Sequence, residues 1–386
     1  MVNNAISNVV YFGVGCFHFG VKKSPPFALQ GSDYLRELQN QLEAIPNTSR
    51  IAIDDYGDLV DFSMDVGEPF TPIGEGYNFF PPPARRLKIE FDIYLPYRLQ
   101  RELLSFDREP STHTERFRIY IHNHYYFPVM FVELIEPSED CEPSDSVAII
   151  REFLKKHFEE SKSDYVRFDY LGPSPFHADF FLQPGVTQEQ EFDNSGFRCE
   201  KLHQKGYDRI DFFFDPSVYE NANQAKDHLF GEFGLGSEIA VFYRTVHQNR
   251  MKMRSWEQLQ YLVNELVKAH ETGGVKALWN TIFKVPKQIR ELVISVAAFE
   301  TNELFIDHDI QTAYRTLTHD RKELFIDSYL KAEMQDLPAY KCSQIRDLVE
   351  LLETQRSKTT EGIITILAAI LGGAIGAVIT LLVTVW

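Results

Sequence analysis

Two short histidine-containing motifs are the strongest candidates for chemistry in this sequence. His122 and His124 fall on one face if they lie in a strand, and His177 and Asp179 do the same in another strand. Imidazole nitrogens and carboxylate oxygens are ligands for divalent metals. If the two strands meet in space, these four side chains form a divalent-metal site. The alternative is that they have surface or packing roles, and no other cofactor is predicted.

Three other patterns favour structure over chemistry. Cys16 and His18 have the residue types of a nucleophile and its base, but they lie in an apolar strand, which favours core packing. The glycine-rich residues 231–238 lack the lysine of a phosphate-binding loop, so they predict a turn that leads into a strand over Glu238–Val246. A cluster of aspartates does not have the spacing of an EF-hand loop, so it predicts a solvated hairpin tip. The members of the cluster are Asp54, Asp55, Asp58, Asp61 and Asp65.

Composition sets the broad class of the protein. Hydrophobic residues make up 44% and aromatic residues 13% of the 386 residues, which excludes an intrinsically disordered chain. The net charge of −17 argues against nucleic acid as a partner, because binding to a phosphate backbone needs a basic field. The 4 cysteines contain no CxxC pair, so they indicate reduced cytoplasmic thiols rather than a zinc ribbon or a disulfide framework.

The C-terminal segment Ile363–Trp386 contains no charged residue. As a helix it would be ~36 Å long, enough to cross a hydrocarbon core of about 30 Å. The pattern predicts one transmembrane helix within residues 361–386, with the lipid bilayer as a partner. Basic residues precede the segment and none follows it, which predicts a tail-anchored, single-pass protein with its N-terminal part in the cytoplasm.

One face of this predicted helix carries small and hydroxylated residues. Gly372 and Gly376 have the GxxxG spacing that lets helix backbones approach closely, so we expect the segment to self-associate. A monomeric anchor and a pore lined by threonine are the alternatives. The predicted packing face comprises Thr365, Ala369, Gly372, Gly373, Gly376, Ala377, Thr380 and Thr384.

Residues 1–254 are expected to form an α+β domain with a mostly antiparallel sheet and a few helices. The clearest strand is Arg86–Leu95, in which apolar and charged residues alternate. Consecutive hairpins favour antiparallel pairing, and they are predicted over Arg116–Leu134, Tyr165–Leu182 and Arg198–Phe214. The helices predicted in this part are Ser32–Ile45, Ser144–Ser161 and Val218–Phe230.

From Ser255 onward helix signals dominate, so residues 255–360 are predicted to form an all-α helical region that ends in a juxtamembrane helix. Glycine and proline breaks separate the elements. The predicted helices are Trp256–His270, Lys276–Phe283, Pro286–Phe299, Asp309–Met334 and Ser343–Thr360.

These features favour a membrane protein without enzymatic activity. Its cytoplasmic domain would recognise an unidentified protein or small ligand, and its tail would self-associate in the bilayer. Membrane perturbation, as in a defence-type effector, would be one output of such a design. The alternatives are a membrane-tethered enzyme that uses the His/Asp metal site and a simple membrane-anchored scaffold. The sequence assigns no catalytic residue.

Overall fold

The computed structural model describes residues 9–21, 31–56, 86–104, 109–124, 127–138, 140–161, 163, 165–171, 178–185, 192–203, 207–231, 234–271, 284–319, 324–335, 339–354, 357–358, 361, 365 and 369. Contacts between residues divide the chain into two compact units. Unit 1 comprises Met1–His247 and Ala313–Gln335, and unit 2 comprises Gln248–Thr312 and Asp336–Trp386. The boundaries expected from the sequence, 1–254, 255–360 and 361–386, stay predictions.

Ten strands form the sheet structure of the described chain. They are β1 Val10–Gly15, β2 Phe17–Val21, β3 Thr48–Asp54, β4 Arg86–Tyr94, β5 Arg116–His124, β6 Phe127–Leu134, β7 Val166–Tyr170, β8 Ala178–Pro184, β9 Phe197–His203 and β10 Asp208–Phe214.

The structure describes eight helices, some between these strands in the chain and the others after them. They are α1 Gly31–Glu43, α2 Tyr97–Leu103, α3 Ser144–Glu160, α4 Ala222–Phe230, α5 Leu235–Glu271, α6 Val285–His319, α7 Asp327–Gln335 and α8, residues 342–354.

Eight strands form one sheet in the order β3-β4-β5-β6-β1-β8-β10-β9, and β2 and β7 form a separate pair. Every pairing in the eight-stranded sheet is antiparallel except the parallel pair β8 and β10. The prediction of a mostly antiparallel α+β fold followed by helices is therefore confirmed.

The sheet separates two hydrophobic cores, and β6 shows the separation most clearly. Val129 and Phe131 belong to core 1, together with α4 and the first part of α5. Met130 and Val132, which point to the other face, belong to core 2 with α1 and α3. Strand β6 is buried along its whole length because both of its faces are covered.

Glycine at position 13 lets α3 approach the sheet closely. A Cβ atom on Gly13 would lie 2.6 Å from Val147 Cγ2 and 2.7 Å from the carbonyl oxygen of Pro143. Val147 is buried in core 2 on the first turn of α3. The start of α3 therefore rests directly on the backbone of β1.

The structure differs from several local predictions. The predicted helix Asp309–Met334 is divided, since α6 ends at His319 and α7 begins at Asp327. Glu238–Val246 is part of α5 and not a strand. β7 and β8 do not form a hairpin with each other, because β7 pairs with β2 and β8 pairs with β1 and β10. Helix α6 runs without a break across residues 300–308, where the sequence predicted a gap between two helices. The predicted helix Lys276–Phe283 lies outside the described residues.

The prediction of a membrane-spanning helix is wrong. In the parts of the chain that the structure describes, no helix combines the length and the apolar character that crossing a bilayer requires. The prediction rested on hydropathy and segment length, which are necessary for a membrane span but not sufficient for one. The prediction of a tail-anchored, single-pass protein and the membrane localisation derived from it are therefore also wrong.

Candidate functional site

The predicted metal-ligand residues lie in unit 1, as far as the structure describes them. His122 is on β5, and its Nδ1 lies 3.3 Å from the carbonyl oxygen of Phe230. Asp179 is on β8, and its Oδ1 accepts a hydrogen bond of 2.8 Å from the backbone amide of Ser144. The backbone of His124 ends β5, and His177 lies outside the described residues.

The structure does not bring His122 and Asp179 together. Strands β6 and β1 lie between β5 and β8, so the two side chains are roughly 14 Å apart across the sheet at the usual strand spacing. They also point to opposite faces, since His122 faces α4 and Asp179 faces the start of α3. Within the described residues no group of three or more His, Cys, Asp or Glu side chains is placed to hold a metal ion.

Asp179 has a structural partner on each side. Its carboxylate caps the start of α3, where the free backbone amides and the helix dipole favour a negative charge. Arg209 lies opposite it on β10 and donates two hydrogen bonds to Asp211, at 2.8 and 2.9 Å. Burial raises the pKa of Asp179, and the hydrogen bonds from Ser144 oppose that shift. This polar group holds α3 to the parallel strand pair.

A second ionic group is buried between β2 and β7. His18 and Asp169 are opposite in register, with His18 Nε2 3.8 Å from Asp169 Oδ2. Arg167 Nε donates to the same carboxylate oxygen at 2.8 Å. Burial raises the pKa of Asp169 to about 7, although Arg167 acts in the opposite direction. This carboxyl group can therefore take up or release a proton near neutral pH.

A third ionic group joins α4 to the sheet. Lys226 Nζ lies 2.9 Å from Glu133 Oε2, and the Tyr120 hydroxyl donates to the same oxygen at 2.8 Å. Lys226 is only 2% exposed and also lies over the Tyr120 ring, 5.0 Å from its centroid. Phe230, on the next turn of α4, stacks on Phe131 with ring centroids 3.9 Å apart. The ion pair and the ring stack together fix α4 over β5 and β6.

The remaining motifs of unit 1 have structural surroundings. Cys16 Sγ donates to the carbonyl oxygen of Pro128 at 3.3 Å, on the core 1 side, whereas His18 faces Asp169. Asp54 Oδ1 accepts from the amide of Tyr56 at 3.0 Å, in a turn after β3. Asp55 lies in the same turn, and Asp58, Asp61 and Asp65 lie outside the described residues.

The glycine-rich motif forms the turn between α4 and α5. The Gly234 amide donates to the carbonyl oxygen of Gly231 at 3.2 Å, and Ser237 Oγ donates to Gly234 O at 3.0 Å. A Cβ atom on Gly234 would lie 2.3 Å from the Leu229 carbonyl oxygen, so this position requires glycine. The predicted turn is present, but it leads into a helix.

The part of helix α6 that belongs to unit 2, residues 285–312, has apolar residues on two different faces. The inner face packs in a third core with α5 and α8 and includes Ile289, Leu292, Val296 and Phe299. The spacing of these residues alternates between three and four, which keeps one stripe of a helix against its neighbours. Lys252 of α5 is buried and pairs with Asp307 of α6.

The outer face of α6 carries a second stripe that is exposed. Leu304 and Phe305 are 73% and 76% exposed, and Val293 and Ile294 are 50% and 58% exposed. Ala297, Ala298 and Thr301 lie between these two pairs and are also exposed, so the middle of the stripe is flat. We call the residues of this stripe the outer face of α6: Val293, Ile294, Ala297, Ala298, Thr301, Leu304 and Phe305.

A groove between α6 and α8 continues the outer face. It has a volume of about 270 Å³ and is lined by Val293, Val296, Ala297, Ile345, Arg346, Val349, Glu350 and Glu353. A second hollow at the start of α6 shares Val293 and Glu353 with it and adds Ile294 and Arg290. The outer face is thus a projecting pair of side chains at one end and a hollow at the other.

The outer face of α6 was missed by the sequence analysis, although its signal is in the sequence. Ile294, Ala297, Thr301 and Leu304 follow the three-four spacing of an apolar helix seam. The predicted helices ended at Phe299 and began again at Asp309, and this gap divided the stripe. Only the continuous helix reveals it.

The predicted packing face of the C-terminal segment is mostly outside the described residues. The structure describes Thr365, which is helical and donates from its hydroxyl to the Glu361 carbonyl oxygen at 2.8 Å, and it describes Ala369, which is also helical and exposed. The other members, from Gly372 to Thr384, fall outside that part of the chain.

Comparison with known proteins gives no relative for this chain. No family model, no curated protein and no solved structure matches it. Functional inference therefore rests on the geometry of the two units.

Proposed function

We propose that this protein is a non-enzymatic assembly protein that self-associates through the outer face of α6. The observation that carries the proposal is the exposure of Leu304 and Phe305, at 73% and 76%, within a stripe that also includes exposed Val293 and Ile294. A surface helix normally has one apolar stripe, which faces its own core. A helix with two stripes is suited to pack against a second helix with the outer one.

The occupant that fits this surface best is a second copy of the chain. Each molecule carries both a projecting pair, Leu304 and Phe305, and an apolar hollow that begins at Val293. A twofold interface needs one patch that is complementary to itself, and a projection and a hollow on one helix face meet that requirement. The same contact is then made twice in each dimer.

Leu304 and Phe305 supply the main apolar contribution to the proposed contact, because burial of a large apolar side chain is the dominant favourable contribution to association. Association itself costs free energy, so a contact of this size is expected to be reversible rather than permanent. We expect a dissociation constant in the micromolar range.

Unit 1 supports a structural role for its buried charges. Lys226 pairs with Glu133, Arg167 with Asp169 and Arg209 with Asp211. The Lys226–Glu133 pair joins α4 to β6, whereas each of the other two pairs lies within one strand, β7 or β10. These ion pairs are weak support for a catalytic function. The exposed outer face of α6 is stronger support for assembly.

The proposal is tested by the mass of the full-length protein, measured by light scattering during size-exclusion chromatography. The variant Leu304→Glu/Phe305→Glu places two charges at the most exposed apolar positions of the proposed contact and is expected to be a monomer. Asn302→Glu is the matched control, because Asn302 is exposed on the same turn of α6 but outside the stripe. This control is expected to have the dimer mass of the unaltered protein. Equal masses for the two variants would refute the assignment of the interface.

A further inference from the structure

We draw no further inference here: the strongest candidate, the buried cluster of His18, Arg167 and Asp169 between β2 and β7, belongs to the proton-binding group already described, and nothing in the described residues shows a ligand or a second conformation that its protonation would select.

Discussion

Lys226 on α4 and Glu133 on β6 form a buried ion pair with a separation of 2.9 Å between Nζ and Oε2. The two residues are 93 positions apart in the sequence, and Tyr120 donates a second hydrogen bond to the same carboxylate oxygen. Because α4 leads through the Gly231–Gly234 turn into α5, this pair fixes the point at which the long helix begins.

Removal of the lysine charge should destabilise unit 1 strongly. In Lys226→Met the Glu133 carboxylate keeps its burial but loses its cation, and we expect the free energy of unfolding to fall by about 3–5 kcal/mol. Chemical denaturation followed by circular dichroism measures this change. The double variant Lys226→Met/Glu133→Leu should recover most of the loss, since no uncompensated charge remains. A single variant as stable as the unaltered protein would show that the pair does not fix α4.

The stability of unit 1 should depend on pH through Asp169. Its pKa rises from an ordinary value of 3.8 to about 7 in the folded protein because the carboxyl group is buried. The folded state therefore binds the proton more tightly than the unfolded state does. The stabilisation is complete below about pH 4 and is lost as the pH rises through 7, with a slope of about 1.4 kcal/mol per pH unit between these values.

Asp169→Asn should remove this pH dependence. We expect unfolding measured at several pH values from 4.5 to 8 to give a flatter profile for the variant than for the unaltered protein. Asp227→Asn, at an exposed position of α4, is the control and should keep the original profile. A steep profile that survives in Asp169→Asn would assign the effect to another group.

Some parts of this fold follow from local sequence and others do not. The alternation of Leu87, Ile89, Phe91 and Ile93 with charged residues predicted β4, because a half-buried strand needs that period. The buried residues Ile239, Phe242, Tyr243 and Val246 have β-like types, and they were predicted as a strand. In the structure they lie on the buried face of α5, where packing in core 1 outweighs the intrinsic preference for strand.

Long-range pairings were the main limit on predicting the site. Strands β7 and β8 were predicted to form a hairpin because they are adjacent in the chain, whereas their partners β2 and β1 are more than a hundred residues away. His122 and Asp179 were assigned to one hypothetical site on their residue types alone, although β6 and β1 lie between their strands. Neither the Lys226–Glu133 pair nor the His18–Asp169 pair has a local sequence signal.

Gly13 should not tolerate a side chain. The Cβ atom of Gly13→Ala would lie 2.6 Å from Val147 and 2.7 Å from the Pro143 carbonyl oxygen, so α3 would have to move away from β1. We expect a loss of about 1–3 kcal/mol in the free energy of unfolding, which is typical of overpacking. The double variant Gly13→Ala/Val147→Ala removes one of the two clashes and should recover part of that loss. Unchanged stability in the single variant would contradict the close approach of α3.

The most direct test of assembly through α6 is sedimentation equilibrium of the unaltered full-length protein over a range of concentrations from about 0.1 to 100 μM. The proposed contact predicts a reversible monomer–dimer equilibrium with a midpoint in the micromolar range. It also predicts that Leu304→Glu/Phe305→Glu abolishes that equilibrium and that Asn302→Glu preserves it. A single monomeric species over the whole range, or a dimer that persists unchanged in the Leu304→Glu/Phe305→Glu variant, would contradict it.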